Sequence, residues 1–263
     1  MTEETTSSAK RSIEMEIEVA GTPEQVWEAI ATGPGISSWY VPHTVEAAEG
    51  GAMTASFGDS PEMQVNGRVG VWDPPRRVMF DGGDPEEGLA FEWLIEARDG
   101  GSCVVRLVNS GFGAGGEWDD QYDAMRKGWE IFLANLRLHL EHFPGQAATA
   151  KLPMAYVEIP AADAWGTLTA RLGISSSLQA GDRLEVTGDG LPKLAGTVAE
   201  VVNEHHVLVV ADEPAPGTAF IATEQQGPMT GASIWLYLYG DDGAAAAERD
   251  APAWQEVLND LTP

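Results

Sequence analysis

Only one cysteine, Cys103, occurs in the 263 residues, so no disulfide can close within the chain. That fits a reducing compartment, and the cytoplasm is the expected setting. Cys103 sits in an apolar run and reads as a small buried hydrophobe. No apolar stretch approaches the roughly 20 residues of a membrane helix, so membrane insertion is not expected. The opening MTEETTSSAKRS lacks an apolar centre and reads as a disordered tail over residues 1–11, not as a signal peptide. Bases are scarce: 15 Lys and Arg stand against 41 Asp and Glu, a formal charge of −26. The excess is even, with 25 acids and 10 bases in residues 1–150 and 16 and 5 in residues 151–263. Such a chain is soluble and self-repelling, and nucleic acid and anionic membrane surfaces are excluded as partners.

Catalytic signatures are also missing. There is no G-x-S-x-G, no phosphate-binding loop, no G-x-G-x-x-G after a strand and no H-E-x-x-H. GFGAGG at 111–116 precedes no phosphate-loop lysine and reads as freedom for the chain to turn into a helix. His139 and His142 share a helical face but lack third and fourth ligands, and read as partners of a helix C-terminus. His205 and His206 adjoin on a strand and point to opposite faces. His43 follows YVP in a loop near a possible cavity mouth, with Glu46 as its only suggested orienting carboxylate. Asp119 and Asp123 are four apart but belong to a first helical turn, where acids serve the dipole. No metal and no cofactor are expected.

What is present is written twice. At an offset of 138, Val19, Trp27 and Gly35-Ile36-Ser37-Ser38 fall on Val157, Trp165 and Gly173-Ile174-Ser175-Ser176, six identities in twenty positions. At 129, Gly67, Val69, Val78 and Phe91 fall on Gly196, Val198, Val207 and Phe220; at 125, Trp129 falls on Trp254. The offsets are collinear, which implies two tandem copies. Domains are expected over 12–145 and 153–263, with a linker over 146–152.

In the first copy, SIEMEIEVA alternates as a half-buried strand does. Thr22-Pro23-Glu24-Gln25 offers a capping box to a short helix, which GPG at 33–35 should stop. Strands follow near 51–57, 63–72, 76–81, 89–98 and 102–110, separated by Gly, Pro and Asp turns. A long amphipathic helix over 117–142 carries Trp118, Tyr122, Met125, Trp129, Phe132, Leu136 and Leu140 as its stripe, and must lie across the sheet to bury it.

This order, with IEVAGTPEQVWEAIATGPGISSWY, the strand pair GRVGVWDPPRRVMF and the closing SGFG…WDDQYDAMRKGWEIFLANLRLHLEHF, resembles the START/Bet v 1-like (SRPBCC) superfamily. It is most similar to the branch of the C-terminal domain of the activator of Hsp90 ATPase. The resemblance covers residues 12–143 directly and reaches the second, shorter copy only through the repeat. It implies an α+β protein of two tandem helix-grip domains, each a curved antiparallel sheet around a long C-terminal helix with a cavity between. Members of the superfamily bind apolar molecules and some catalyse cyclisation or hydrolysis, so the resemblance implies a small apolar molecule as ligand, and the missing catalytic signatures favour binding without catalysis. The alternatives within the superfamily are a chaperone-linked interaction module and a cyclase- or hydrolase-type enzyme.

The two copies differ at a set of aromatics. Trp39, Tyr40, Trp72 and Trp93 become Ser177, Leu178, Val201 and Ala222, whereas Trp27, Phe91 and Trp129 persist as Trp165, Phe220 and Trp254. The shared set is expected to build the fold. The unshared set either lines a cavity used by the first copy alone or marks a second copy that has drifted and shrunk. The candidate ligand-binding residues are Trp39, Trp72, Phe91, Trp93, Tyr122, Met125 and Trp129, all in the first domain.

Overall fold

The computed structural model describes residues 11–58, 60–83, 88–113 and 116–261. The tail expected over 1–11 lies outside them except for Arg11. The two halves of the chain build two antiparallel seven-stranded sheets with one connectivity.

The first half runs β1 (Arg11–Ala20), α1 (Pro23–Ala31), α2 (Gly33–Ser37), β2 (His43–Val45), β3 (Ala52–Ser56), β4 (Gln64–Asp73), β5 (Arg77–Asp81), β6 (Ala90–Arg98), β7 (Ser102–Phe112) and α3 (Gly116–His142). Its sheet is ordered β1-β7-β6-β5-β4-β3-β2, so the first strand closes on the last. Ile13 and Val19 face inward and are buried, and Glu14, Glu16 and Glu18 face water. The capping box of α1 is present: the Thr22 amide donates to Gln25 Oε1 at 2.9 Å, and Thr22 Oγ1 accepts from the Gln25 amide at 3.4 Å. GPG does not end the helical path. Thr32 caps a new helix, α2, by accepting from the Gly35 amide at 3.1 Å, because a proline within a first turn starts a helix as readily as it breaks one.

The second half runs β8 (Ala148–Lys151), β9 (Met154–Val157), α4 (Ala161–Leu172), β10 (Arg183–Glu185), β11 (Ala195–Asn203), β12 (His206–Glu213), β13 (Gly217–Gln226), β14 (Met229–Tyr239) and α5 (Gly240–Asn259). Its opening strand is split. β8 and β9 both pair with β14, and Pro153, which has no amide hydrogen to give the ladder, stands between them. Residues 148–151, within the span expected as linker, are thus an edge strand. The repeated GISS diverges here: Gly173 ends α4 with φ +69°, and no counterpart of α2 follows. Pro160 opens α4 without a side-chain cap.

The layers run sheet 1, α3, sheet 2, then α4 with α5. Along β13 and β14, Ala219, Ile221, Ile234, Leu236 and Leu238 join the core formed with α4 and α5. The intervening Phe220, Ala222, Trp235 and Tyr237 belong to the other core, around α3. Phe132 of α3 lies 6.1 Å from Phe220 and 5.5 Å from Trp235, ring to ring, and Arg137 pairs with Glu200 of β11. From Ile131 to Leu140 only Phe132 and Arg137 are less than fully buried. The C-terminal half of α3 is therefore covered on both sides rather than amphipathic.

This placement corrects the residue matching of the copies. Val78 pairs with Trp93, and Phe80 with Phe91. In the second sheet Val207 pairs with Ile221, and Val209 with Ala219. Ile221 and Ala219 occupy the places of Trp93 and Phe91; Ala222 and Phe220 do not. The connection before β13 is one residue shorter, and a slip of one moves a side chain to the opposite face. Phe220 is thus part of the junction with α3 and not a retained element of the second domain's own core. Trp254 is buried in that core, as Trp129 is in the first. Trp27 and Trp165 hold equivalent places on α1 and α4, but Trp27 is only partly buried, its ring edge-on to Trp72 at 4.9 Å.

Candidate ligand cavity

Between sheet 1 and α3 the fold leaves a cavity of about 660 Å³, mostly apolar in lining. Trp39, Phe91, Trp93, Met125 and Trp129 all face it. Trp39 follows directly on α2, and its indole N–H donates to Ala29 O at 2.9 Å, which holds the ring 5.6 Å from Trp93. Trp129 meets Trp93 edge-on at 5.5 Å, and its own N–H donates to Asn109 Oδ1 at 3.4 Å. Trp39, Trp93 and Trp129 are each less than 5% exposed. They are core and cavity wall at once, so the two roles weighed from the sequence are not exclusive.

Two of the expected residues lie elsewhere. Trp72 packs on Trp27 beside α1 and does not face the cavity. Tyr122 donates to Ser12 O at 3.2 Å, stacks edge-on to Phe112 at 5.2 Å and lies under the Arg11 guanidinium at 4.8 Å. It shares a helical stripe with Trp129, but α3 crosses the sheet, and its first turns lie over the β1–β7 edge.

Tyr40, one of the aromatics that the copies do not share, belongs to the wall, and other parts of it were not read from the sequence. Tyr40 contacts Trp129 at 5.0 Å and Phe132 at 4.5 Å. Gly128 lines the cavity from α3; a Cβ there would have Phe132 Cε2, at 3.8 Å, as its only neighbour within 4 Å. The second domain contributes too, through Phe220, Ala222, Glu224, Ser233 and Trp235 among others. The signal for that contribution was in β12–β14, where apolar residues run consecutively, as in a sheet covered on both faces. Phe57, Val65 and Tyr156, each more than a third exposed, also line the cavity and form its apolar mouth.

Burial holds His43 and His139 neutral. His43 lines the cavity and donates from Nδ1 to Val41 O at 2.7 Å; burial lowers its pKa to about 4 against the opposing pull of that bond. Glu46 does not orient it, since Glu46 Oε2 accepts from the Ala52 amide at 3.0 Å. His139, expected to serve the helix terminus as a cation, is instead 2% exposed, with Nδ1 2.7 Å from the Tyr239 hydroxyl and a pKa lowered to about 4 by burial. Asp119 pairs with Arg11 at 2.7 Å. Among the described residues no cluster of three His, Cys, Asp or Glu side chains is placed to hold a metal, and no helix is long and apolar enough to cross a membrane.

The segment GISSWY also anchors the second domain. Ser38 Oγ accepts from the Ala148 amide at 2.8 Å and Tyr239 donates to Ser38 O at 3.3 Å, while within the first domain Asn135 of α3 donates to Trp39 O at 2.9 Å. Ser38, which makes these bonds, persists as Ser176, whereas Trp39 and Tyr40, which the second copy lacks, line the cavity.

Residues 20–141 match the family model of the activator of Hsp90 ATPase homolog 1-like protein. No curated protein matches the chain. Among solved structures, the chain is similar to the Aha1 dimer from Colwellia psychrerythraea, at 18% identity over 50% of this chain and 97% of that one, with a TM-score of 0.41. It is similar to the di-domain ARO/CYC BexL from the BE-7585A biosynthetic pathway, at 13% identity over 95% and 97%, with a TM-score of 0.43. It is similar also to DynU16 from the dynemicin biosynthetic locus, at 16% identity over 94% and 96%, with a TM-score of 0.43. Residues 20–141 thus resemble the activator of Hsp90 ATPase homolog 1-like family, and in the same chain they are followed by a second, shorter domain with an antiparallel sheet and C-terminal helix of its own.

Proposed function

We propose that the protein binds a small, largely apolar molecule in this cavity and does no chemistry on it. The observation that carries the reading is the space itself: about 660 Å³ bounded by closely packed aromatics and reached through an apolar mouth. Protein interiors ordinarily close such volumes, and ligand pockets of this size are typically apolar with a few polar groups. Gly128 supports it further. Glycine inside a helix costs about 0.5–1 kcal/mol relative to alanine, and its side of α3 is left open where a larger residue would fill the cavity. A non-catalytic role is supported by His43, whose pKa of about 4 makes it a weak base and which has no hydrogen bond to a carboxylate among the described residues. The exposed rim of Phe57, Val65 and Tyr156 is read as the way in rather than as a chaperone-docking face, because the same residues line the space behind it.

The test is a Nile red titration of the full chain, followed by tryptophan quenching. Wild type is expected to bind the dye, and Gly128→Leu to weaken it at least tenfold with a melting temperature equal or higher. No binding by wild type, or equal binding by both proteins, would sink the reading.

A further inference from the structure

We infer that the second domain gives the cavity a charged lobe, in which Glu224 selects ligands that carry an amine beside their apolar body; this rests on the cavity reading above. The lobe is built by strand register. On the face of sheet 2 turned toward α3, His206, Ala222, Ser233 and Met154 form one row across four strands, and Glu224, Gly231 and Tyr156 form the next. All seven line the cavity. The middle of both rows is small, Ala222 and Ser233 in one and Gly231 in the other, and the flanks are large. The result is a trough floored by small residues, closed at its deep end by Phe220 and Trp235, whose rings are 4.9 Å apart.

The charges along the cavity have one sign. Among the described lining residues there is no lysine or arginine, and the carboxylates are Asp81 and Glu224. Asp81 is already satisfied: its Oδ1 accepts from Arg68 Nε and from the Gly83 amide, each at 2.8 Å. Glu224 has no ion pair and no hydrogen bond among the described residues. Of the charged groups that act on it from α3, Lys127 lowers its pKa and Glu130 raises it, the lysine more strongly but less than burial does. The neighbouring His206 cannot serve as a counter-ion. It accepts from Asn203 Nδ2 at 2.9 Å and donates to Thr223 O at 3.2 Å, and burial lowers its pKa to about 4. Burial pushes the Glu224 carboxyl upward from its ordinary range, as expected of a carboxylate that lacks a partner. A half-buried carboxylate is costly unless paired, and an ammonium group docked in the trough would pair it. A fatty acid would bring a further negative charge to a wall with no lysine or arginine among its described residues.

The experiment uses the full-length protein with Nile red bound, in about 0.15 M salt, where exposed charges are screened beyond roughly 8 Å. Octylamine, octanol and octanoate compete for the dye. Wild type is expected to bind octylamine at least tenfold tighter than octanoate. Glu224→Gln should bring the two within threefold and Glu224→Lys should invert the order, each competition being read against that variant's own Nile red affinity. Attraction of amines to the acidic surface at large would survive Glu224→Gln, which changes a net charge of −26 by one. A preference that persists in Glu224→Gln, one that is not inverted by Glu224→Lys, or no preference in wild type, overturns the inference while the cavity stands. Failure of Nile red to bind wild type overturns the cavity reading and this one together.

Discussion

Sheet 1 and sheet 2 share a connectivity and differ in what covers them. Sheet 1 turns one face to α3 and the other to water, where Glu16 pairs with Arg106 at 2.5 Å and Glu18 accepts from Ser102 at 2.6 Å. Sheet 2 is covered on both faces, by α4 and α5 on one side and by α3 on the other. The shorter copy has kept its own core, and its outer face has become a lid over the long helix of the first. The same chain order supports both roles because an antiparallel sheet tolerates either a wet or a dry face, decided by every second side chain.

Removing the lid should have the largest effect. A chain ending at residue 147 would expose Phe132 and the α3 face now covered by Leu208, Phe220, Trp235 and Tyr237. At roughly 1.5–3 kcal/mol for each large apolar side chain, the loss is about 5–10 kcal/mol, comparable to the whole stability of a domain. The isolated first domain is expected to aggregate or melt without cooperativity. Circular dichroism and sedimentation check this, and a monomer melting as cooperatively as the full chain would break the comparison.

Point changes on the two outer faces should differ next. Phe220→Ala, on the covered face of sheet 2, is expected to cost about 3–5 kcal/mol, as a core truncation does. Val108→Ala, opposite Glu14 and Glu92 on the wet face of sheet 1, should cost less than about 1 kcal/mol. Urea denaturation of the two variants gives both numbers, and similar values would mean that the faces are alike.

A smaller, pH-dependent effect belongs to the same layer. His139 and His206 both adjoin sheet 2 and have folded pKa values of about 4, below the ordinary 6.5. Between these values the unfolded chain binds protons that the folded chain refuses. The histidine contribution is thus full above pH 6.5 and is lost as pH falls toward 4. For His139 the loss between pH 7 and pH 5 amounts to roughly 2 kcal/mol. In His139→Gln the drop in stability over that interval should be smaller by about that amount, measured by denaturant titrations at the two pH values. An identical drop would show that His139 does not carry it.

Much of sheet 1 could be read directly. Alternation in SIEMEIEVA placed β1 and its wet face, and Thr22 with Gln25 placed the start of α1. Glycine and proline turns located five strands to within a residue or two. These features are encoded between near neighbours in the chain. β2 was missed because three residues are too short to show a period, and α2 because GPG can end one helix or begin the next. In the candidate site, Phe91, Trp93, Met125 and Trp129 were proposed from stripe and alternation and Trp39 from the difference between the copies, and all five line the cavity. Trp72 and Tyr122 were misplaced, since sharing a stripe does not fix where along a helix or strand a cavity opens.

The sequence by itself determined the element order, the doubling of the fold, the predominantly acidic surface and the aromatic half of the cavity wall, because propensity, period and charge act locally or as sums. Tertiary structure alone decided that the second sheet lies against the first domain's helix, that Phe220 faces across the junction and not into its own core, and that Glu224 reaches the cavity. A loop shorter by one residue, before β13, turns every following side chain on that strand to the other face. Which face is then buried depends on a helix about ninety residues away in the chain, and no local pattern in β13 can name it.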